Sequence, residues 1–481
     1  MRSGRREWLC GLAVAVAFLA APSGVPAQPL PVGGFRVFAR VPEPGQPEGL
    51  AVAPDGTVYA GTDVAPFGVR PEGIQPSKIF AFSPSGVLKR SYTIAGESYA
   101  PWYGLFGLAV DGDGIVYALD HNPARVLAID PVTGGQTTYA SFSQVPPCRV
   151  APPGAQCKDT MGDSGSFPNF IVFAQDGTMY VSDTSQALIW RIPRGGGSPQ
   201  VWYTDAGLES VFGPNDLALS PDGRTLLIGF STPSYNGQLS PGLYALPILA
   251  DGRPGRLRQV WHAQSSDFPE GGKVAQSGRL YLSLGGANQV LVTMPDGREL
   301  ARYPSTSSEN ASMEIPLDDP ATIVFAGTDA LIANHAYTGY NPQHWAILAF
   351  HAGERGAPLF YPIVRPFATA PAPVAAPGAG PGAGGSTHVP AVRITLRVRP
   401  AHVRAGRRRR FRFRATFVAG GRRLPVRGGL LSFAGRHRRT NARGRATITA
   451  RLHRPGLHRA RAREPGLLDG LVAVRTGRRR R

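Results

Sequence analysis

A short phrase recurs six times between residues 47 and 332, and it constrains the fold more than any other feature of the chain. Each copy runs from an acid, amide or apolar residue through alternating apolar residues to Asp-Gly or a close substitute, and five of the six begin with proline. The copies occupy residues 47–59, 106–117, 168–180, 214–226, 269–281 and 320–332. Equivalent positions are 58, 63, 46, 55 and 51 residues apart, close to the roughly 40–50 residues of a four-stranded propeller blade. The repeat predicts an all-β fold, a six-bladed β-propeller.

The Asp-Gly pairs separate two runs of alternating apolar residues in most copies. Such a pair predicts a two-residue hairpin turn of type I′, in which both central residues have positive φ. Later runs such as 78–86 and 125–134 supply a third strand, and 89–94 supplies a fourth. A tandem sandwich array or a set of unclosed hairpins is the alternative. The regular spacing favours a closed ring.

The first 27 residues have the pattern of a secretory signal. Basic residues precede an apolar run over 9–21, and Val25-Pro26-Ala27 predicts cleavage after Ala27. A run of about 13 residues is shorter than the roughly 20 that cross a bilayer, although a membrane anchor or a buried helix is the alternative. We therefore expect an exported protein, secreted, periplasmic or on the cell surface, with no transmembrane segment after cleavage.

Two cysteines follow the predicted cleavage point, Cys148 and Cys157, in a proline-rich loop. An oxidising compartment favours a disulfide between them, and two unrelated thiols are the alternative.

The composition changes near residue 366. Residues 366–388 are rich in Pro, Ala and Gly and predict a linker. Residues 389–481 hold 28 Arg, no Lys and two acidic residues, a formal net charge of +26 against +20 for the whole chain. We expect a signal peptide at 1–27, a propeller at 28–365, the linker at 366–388 and a basic β-domain at 389–481.

Arginine alternates with apolar residues in the basic region, at 392–399, 410–417 and 446–452. This alternation predicts half-buried strands, and the layout resembles bacterial immunoglobulin-like domains, which are small β-sandwiches. The charge indicates attachment to a cell-wall polymer or another polyanion, with 407–410 and 478–481 as the strongest contacts. A solvated basic face is the alternative. Phe411 and Phe413 are expected on the opposite, buried face, which disfavours base stacking.

The residue after the initial proline of each phrase, or Phe106 in the copy without one, is where the innermost strand of a blade enters the central channel. Two carboxylates and two amides at these entry positions form an all-oxygen ligand set that suits Ca²⁺, with Mg²⁺, Mn²⁺ or Zn²⁺ as alternatives. Strand-end capping and bridging between blades is the structural alternative. The entry residues are Glu48, Phe106, Asn169, Asn215, Glu270 and Ala321.

The motifs Pro47-Glu48-Gly49, Pro214-Asn215 and Pro269-Glu270-Gly271 resemble those of the regucalcin–gluconolactonase family. The resemblance covers about 35–361 and implies a six-bladed propeller that holds one divalent metal at the funnel and hydrolyses sugar lactones or related esters. It also implies that Glu48, Asn215 and Glu270 hold the metal, and that Asn169 contacts the metal or the substrate.

Two positions depart from the family pattern. Glu270 stands where the family has an Asp that is both a metal ligand and the proposed base, and Phe167 stands where an Arg often grips the substrate. The resemblance implies that Glu270 is the general base, a role worth roughly 10² to 10⁴ in rate. Further candidates follow the strands of their phrases, where turn hydrogen bonding is the alternative function. They are Asp63, Asp120, Asp183 and His335.

The leading hypothesis is an exported, calcium-dependent lactonase or esterase of the gluconolactonase type. The alternative is a non-catalytic propeller that binds a ligand or partner around a structural metal and is tethered to polyanions by the basic domain. A lyase of similar fold is a third hypothesis. The chain has no Gly-x-Ser-x-Gly and no phosphate-binding loop, which disfavours serine-hydrolase and nucleotide chemistry.

Overall fold

The computed structural model describes residues 30–64, 76–99, 103–162, 164–367, 395–406, 408–419, 422–426, 430–434, 436–453, 456–464 and 467–477. The chain divides into two compact units, Met1–Pro371 and Ala372–Arg481. The predicted signal peptide and residues 368–388 of the predicted linker lie outside the described residues. Within the described ranges, no helix is long and apolar enough to cross a membrane.

The first unit begins with strand β1 (Phe35–Arg40), and five blades of four consecutive strands follow. Blade one contains β2 (Pro47–Val52), β3 (Val58–Thr62), β4 (Lys78–Phe82) and β5 (Leu88–Thr93). Blade two contains β6 (Leu105–Val110), β7 (Val116–His121), β8 (Ala124–Ile129) and β9 (Gln136–Ser141). Blade three contains β10 (Pro168–Phe173), β11 (Met179–Asp183), β12 (Leu188–Ile192) and β13 (Gln200–Thr204). Blade four contains β14 (Pro214–Leu219), β15 (Thr225–Phe230), β16 (Gly242–Pro247) and β17 (Arg258–His262). Blade five contains β18 (Pro269–Val274), β19 (Leu280–Leu284), β20 (Gln289–Thr293) and β21 (Glu299–Tyr303).

The sixth blade closes the ring with both ends of the unit. It combines β22 (Pro320–Ala326), β23 (Asp329–Asn334) and β24 (Ala346–His351) with β1, which pairs antiparallel to β24. The inner strands β2, β6, β10, β14, β18 and β22 each contact their two neighbours around a closed circle. The predicted six-bladed propeller is confirmed. Short helices connect the strands at Cys148–Val150, Ala206–Leu208, Ser307–Ala311 and Pro342–His344.

The Asp-Gly turns differ from the predicted type I′. In blade one, Gly56 has a φ of 82°, whereas Asp55 is not among the residues with positive φ. The Gly56 amide donates to the Ala53 carbonyl at 2.9 Å. Pro54 fixes φ near −65° and so favours an ordinary turn at this point. The prediction was wrong because the loop is longer than two residues, and only its glycine needs the left-handed conformation.

The cores lie between neighbouring blades. Between blades two and three, for example, Tyr117, Phe173 and Trp190 belong to one buried cluster. The proline-rich loop before blade three contains a disulfide between Cys148 and Cys157, which agrees with the expected pairing.

A segment after blade six, residues 354–367, crosses the ends of the inner strands opposite their entry residues. The Ala357 amide donates to the Val274 carbonyl at 2.9 Å, and the Gly112 amide donates to the Pro362 carbonyl at 2.9 Å. The Tyr361 hydroxyl donates to the Val52 carbonyl at 2.8 Å. Together with inner-strand residues from all six blades, residues 355–361 line a cavity of about 330 Å³. The channel is thereby covered at this end.

The second unit is a small β-sandwich. Its strands are β25 (Thr395–Arg399), β26 (His402–Arg404), β27 (Arg408–Ala419), β28 (Arg422–Pro425), β29 (Leu430–Phe433), β30 (Arg436–Arg439), β31 (Arg445–Arg451), β32 (Gly456–Glu464) and β33 (Leu467–Gly477). One sheet has the order β25-β27-β28, with β31 also paired to β27, and the other has the order β26-β33-β32-β29-β30. Phe411 and Phe413 are buried in the core between them, as expected from the alternation. The immunoglobulin-like assignment stays a prediction.

Candidate functional site

Each inner strand carries a β-bulge at its entry residue. In blade one, Pro47 pairs with Thr62 and Leu50 pairs with Ala60, so Glu48 and Gly49 together face a single residue. The other five blades show the same shift between their first and fourth residues. A bulge re-aims the side chain it contains. The six entry residues therefore occupy equivalent, locally irregular positions at one end of the channel.

Serine hydroxyls on, or directly after, the second strands hold the entry backbones of adjacent blades. The Ser182 hydroxyl donates to the Asn215 carbonyl at 2.6 Å, and the Ser231 hydroxyl donates to the Pro269 carbonyl at 2.6 Å. These bonds join blade three to blade four and blade four to blade five. They fix the backbone on which Asn215 and Glu270 are carried.

Glu48 lies in a buried cluster with His335 and Asp63. Glu48 Oε2 is 3.0 Å from His335 Nδ1, and Asp63 Oδ2 is 3.5 Å from His335 Nε2. Burial raises the pKa of Glu48 to about 7, against the opposing effect of His335. Burial would lower the pKa of His335, but Glu48, Asp63 and Glu270 raise it to about 9. At neutral pH the imidazole is therefore a cation between two carboxyl groups.

Glu270 is the entry residue of blade five, and Glu48 is the entry residue of blade one. Blade six lies between these two blades in the ring. Glu270 accepts a hydrogen bond from the Asn215 side-chain amide, which also donates to the Ser231 hydroxyl at 3.2 Å. Burial, followed by the charge of Glu48, raises the pKa of Glu270 well above its usual range. The pKa values of these two interacting carboxyl groups are therefore both raised, as is common for groups that act as general acids or bases.

Asn169 has buried polar atoms that its neighbours leave unpaired. Its side chain is 1% exposed, and neither Asn169 Oδ1 nor Asn169 Nδ2 has a hydrogen-bond partner among the described residues. The same holds for both polar atoms of the Gln46 side chain, which is fully buried. Such atoms are rare in folded proteins unless a water, an ion or a ligand completes them. The unpaired atoms of Asn169 and Gln46 therefore indicate that the entry end binds a water molecule, an ion or a polar ligand.

The further candidates divide into two groups. Asp63 and His335 join Glu48 as described. Asp120 instead pairs with Arg125 at 2.8 Å, and Asp183 accepts hydrogen bonds from Phe167 N and Trp190 Nε1, both at 2.9 Å. Asp120 and Asp183 thus have structural partners within blades two and three.

A buried ion pair in the channel was not predicted. Lys273 Nζ lies 4.0 Å from Asp216 Oδ1 and 4.7 Å from the centre of the Phe170 ring. Burial raises the pKa of Asp216 to about 7 and lowers that of Lys273. The sequence indicates that position 216 is unusual, because Asp216 stands where the first, second and fifth copies of the phrase have Gly.

The side chains at the entry end fit a hard divalent cation by their chemistry. Glu48 and Glu270 offer carboxylate oxygens, Asn215 and Asn169 offer amide oxygens, and both polar atoms of Asn169 have no hydrogen-bond partner in the described part of the chain. No group of three or more His, Cys, Asp or Glu among the described residues is close enough together to hold an ion. A cation at this end would therefore depend on the two amides as well as the two carboxylates.

Comparison with known proteins finds similar folds among solved structures. A structure described as a gluconolactonase is 17% identical, covering 67% of this chain and 93% of its own, with a TM-score of 0.45. The calcium-binding protein regucalcin from Agrobacterium tumefaciens str. C58 is 17% identical, covering 68% and 99%, with a TM-score of 0.46. A luciferin-regenerating enzyme is 10% identical, covering 69% and 99%, with a TM-score of 0.46. These are propellers of the type that the entry motifs resemble.

No family model matches the chain, and no curated protein matches it. At these identities the likeness to solved structures concerns the fold alone. The assignment of six blades rests on the closed ring of inner strands itself.

Proposed function

We propose that this chain is an exported hydrolase that opens lactones or related esters at the entry end of its propeller channel. One observation carries the proposal. The interacting carboxyl groups of Glu48 and Glu270 lie beside the His335 cation, and the pKa values of the carboxyl groups are raised while that of His335 is about 9. Perturbed groups that converge in a channel mouth are typical of catalytic sites.

In the proposed hydrolysis, Glu270, His335, Asn169 and Glu48 have separate roles. Glu270, as its carboxylate, accepts a proton from a water molecule whose oxygen attacks the carbonyl carbon of the substrate. The oxyanion that forms is stabilised by the side-chain N–H of Asn169 and by the positive charge of His335. When the bond between the carbonyl carbon and the ring oxygen breaks, the leaving alkoxide takes the proton back from Glu270. Glu48 holds His335 in place and keeps it charged.

A divalent cation, with Ca²⁺ as the first candidate, would be held by Glu48, Asn215 and Glu270, with Asn169 as a further contact. When bound, it would polarise the carbonyl group of the substrate. The residue roles above do not depend on which cation this is. Mg²⁺, Mn²⁺ and Zn²⁺ are tested beside Ca²⁺ for that reason.

The experiment measures hydrolysis of a panel of lactones and esters with each cation and with a chelator. Glu270→Gln should lower kcat/KM by about 10²-fold or more, because the base is lost. Glu354→Gln is the matched control, since Glu354 contacts Arg279 and Tyr281 near the covered end of the channel. Hydrolysis that is unchanged in Glu270→Gln would refute the assigned base. Ligand binding without turnover across the panel would favour a non-catalytic propeller.

The basic unit supports a second role, attachment of the protein to a polyanion. Arg397, Arg414 and Arg445 are exposed on one face of their sheet and face each other across three strands. None of the salt bridges among the described residues involves Arg397, Arg414 or Arg445. Like charges placed directly opposite destabilise a sheet, so an external anion would relieve the repulsion. Of the predicted contact runs 407–410 and 478–481, residue 407 and the whole of 478–481 lie outside the described residues.

Binding of the full chain to a polyphosphate or an acidic polysaccharide tests this role. A variant with Gln at 397, 414 and 445 should bind more weakly and show a shallower dependence of log K on log salt, because fewer counterions are released. Arg253→Gln controls for the loss of an exposed arginine in the propeller, where Arg253 pairs with Asp251. Equal loss of binding in the control and the triple variant would contradict the role.

A further inference from the structure

Five aromatic side chains form a continuous arc at the entry end of the channel. The arc consists of Phe106, His121, Phe167, Phe212 and Phe268. His121 stacks on Phe106 with ring centres 3.9 Å apart. The Phe167 ring centre lies 3.9 Å from that of His121, at a tilt of 47°, and 5.3 Å from that of Phe106. Phe167 continues to Phe212 at 6.3 Å, and Phe212 continues to Phe268 at 5.5 Å.

The aromatic arc occupies a defined part of the channel mouth. Phe106 is the entry residue of blade two, His121 ends the second strand of that blade, and Phe167, Phe212 and Phe268 lie just before the inner strands of blades three, four and five. The ionisable cluster lies in blades five, six and one, with Glu270, His335 and Glu48. The mouth therefore carries aromatic rings across blades two to five and ionisable groups across blades five, six and one, with the amides of Asn169 and Asn215 on the aromatic side.

The arc is partly accessible beyond the buried Phe106 and is poor in hydrogen-bonding groups. Phe167, Phe212 and Phe268 are half-buried, although each belongs to a residue type that is most often fully buried. The four phenyl rings have no polar atom, and His121 Nε2 is 3.0 Å from the Pro168 carbonyl, to which it donates. Burial also lowers the pKa of His121 to about 3, so its ring is a neutral aromatic surface at physiological pH.

Phe268 has an unusual backbone for such a residue. Its φ is 47°, in the left-handed region that non-glycine residues adopt at a cost. Gln46 and Asp319, which also directly precede the proline of an inner strand, have φ values of 46° and 47°. The conformation therefore belongs to the entry turn that blades one, five and six share, and in blade five this turn carries the ring that packs against Phe212.

From this arrangement we infer that the site takes lactones or esters that carry a planar aromatic group, which stacks on the aromatic arc while the carbonyl lies among Glu48, Glu270 and His335. The inference rests on the proposed function and deepens it by naming the substrate class. A sugar lactone presents hydroxyl groups on every side and would leave them unpaired against the phenyl rings. An aromatic ring gains both apolar burial and ring contacts.

The test compares substrates that share one lactone ring. Dihydrocoumarin carries a fused benzene ring, δ-valerolactone carries none, δ-nonalactone carries an alkyl chain, and glucono-δ-lactone carries hydroxyl groups. We expect the highest kcat/KM for dihydrocoumarin. Phe167→Ala and Phe212→Ala should each raise its KM about three- to tenfold, and they should raise the KM of δ-valerolactone by a smaller factor because this lactone places no ring on the arc. Val211→Ala is the control, because Val211 is adjacent to Phe212 in sequence but 76% exposed.

Phe167→Leu separates ring stacking from simple apolar burial. It keeps the apolar volume, so it guards against a variant that fails because the site collapses. We expect it to lose the preference for dihydrocoumarin as Phe167→Ala does. Retention of the preference in Phe167→Leu, or a stronger preference for δ-nonalactone in the wild type, would overturn the aromatic class in favour of alkyl substrates.

A binding measurement distinguishes failure of this inference from failure of the proposed function. Calorimetry with the lactam analogue of dihydrocoumarin, compared with δ-valerolactam, reports on the arc without turnover. Tighter binding of the aromatic lactam that weakens in Phe167→Ala, with no hydrolysis of any substrate, would support the arc and refute the hydrolase. Hydrolysis without any aromatic preference would refute the arc and leave the hydrolase standing. Absence of both binding and hydrolysis would overturn both.

Discussion

Asp216 Oδ1 lies 4.0 Å from Lys273 Nζ in the interior of the propeller, where the two side chains are 1% and 12% exposed. The Lys273 ammonium donates to the Gly272 carbonyl at 2.8 Å, whereas Asp216 Oδ1 has no hydrogen-bond partner among the described residues. The pair connects the inner strands of blades four and five. Asp216 directly follows Asn215, and Lys273 is three residues after Glu270. The ion pair therefore helps to fix the backbone that carries both site residues.

Removing one partner of this pair should cost more than removing both. We expect Asp216→Asn to lower the free energy of unfolding by about 3–5 kcal/mol, because it leaves a buried ammonium without a counter-charge. The double variant with Lys273→Met should recover much of that loss. Urea unfolding of the two single variants and the double variant measures the coupling. Asp251→Asn, in an exposed pair with Arg253, should change stability by at most about 1 kcal/mol, and a similar cost at both sites would contradict the prediction.

His335 should make the stability of the chain depend on pH above neutrality. Its pKa rises from 6.5 to about 9 in the folded protein, so its contribution is complete below pH 6.5 and is lost as the pH rises to 9. The shift corresponds to about 3 kcal/mol. Urea unfolding between pH 6.5 and 9, in the presence of a chelator, should show this loss of unfolding free energy in the wild type and not in His335→Gln. His351→Gln removes another His–Asp pair and should keep the wild-type loss, so an unchanged slope in His335→Gln would refute the assignment.

A cation held by the entry residues should stabilise the folded chain independently of any reaction. At a concentration 100 times its Kd, the gain is about 2.7 kcal/mol. Thermal unfolding with Ca²⁺, Mg²⁺, Mn²⁺ or Zn²⁺ against chelator should show an increase in Tm that is lost in Glu48→Gln, Asn215→Ala and Glu270→Gln. Glu354→Gln should keep it. If no cation raises the Tm of the wild type, the metal prediction is wrong.

The propeller could be predicted from the sequence because the strand and turn patterns that specify it are local and recur in each blade. The strands on either side of Asp55-Gly56 follow from the turn residues and from the alternation of apolar residues. Both features occur in several copies of the repeat. Burial of Phe411 and Phe413 follows from the same period of two. The turn type itself was mispredicted because a short motif does not fix the length of the loop that contains it.

The candidate site could be predicted only in part because it depends on contacts between blades. The repeat placed Glu48 and Glu270 at equivalent entries, but it did not show that His335, from blade six, lies between Glu48 and Asp63. That contact depends on how closely adjacent blades approach at the mouth. The aromatic arc is non-local in the same way, since the residues just before three inner strands become neighbours only when the ring closes.

The closeness of blades one and two depends on Gly49, and this gives a direct test of the ring geometry. A Cβ at position 49 would lie 1.9 Å from the Phe106 carbonyl oxygen, a backbone atom that cannot move unless the two inner strands separate. We expect Gly49→Ala to lower the free energy of unfolding by about 3 kcal/mol and to reduce activity by displacing Glu48. A Cβ at Gly165 would meet no atom within 4 Å, so Gly165→Ala should change stability by less than about 0.5 kcal/mol. Urea unfolding and kcat/KM of the two variants provide the comparison, and equal stability of Gly49→Ala and Gly165→Ala would show that the inner strands are not packed as closely as this contact requires.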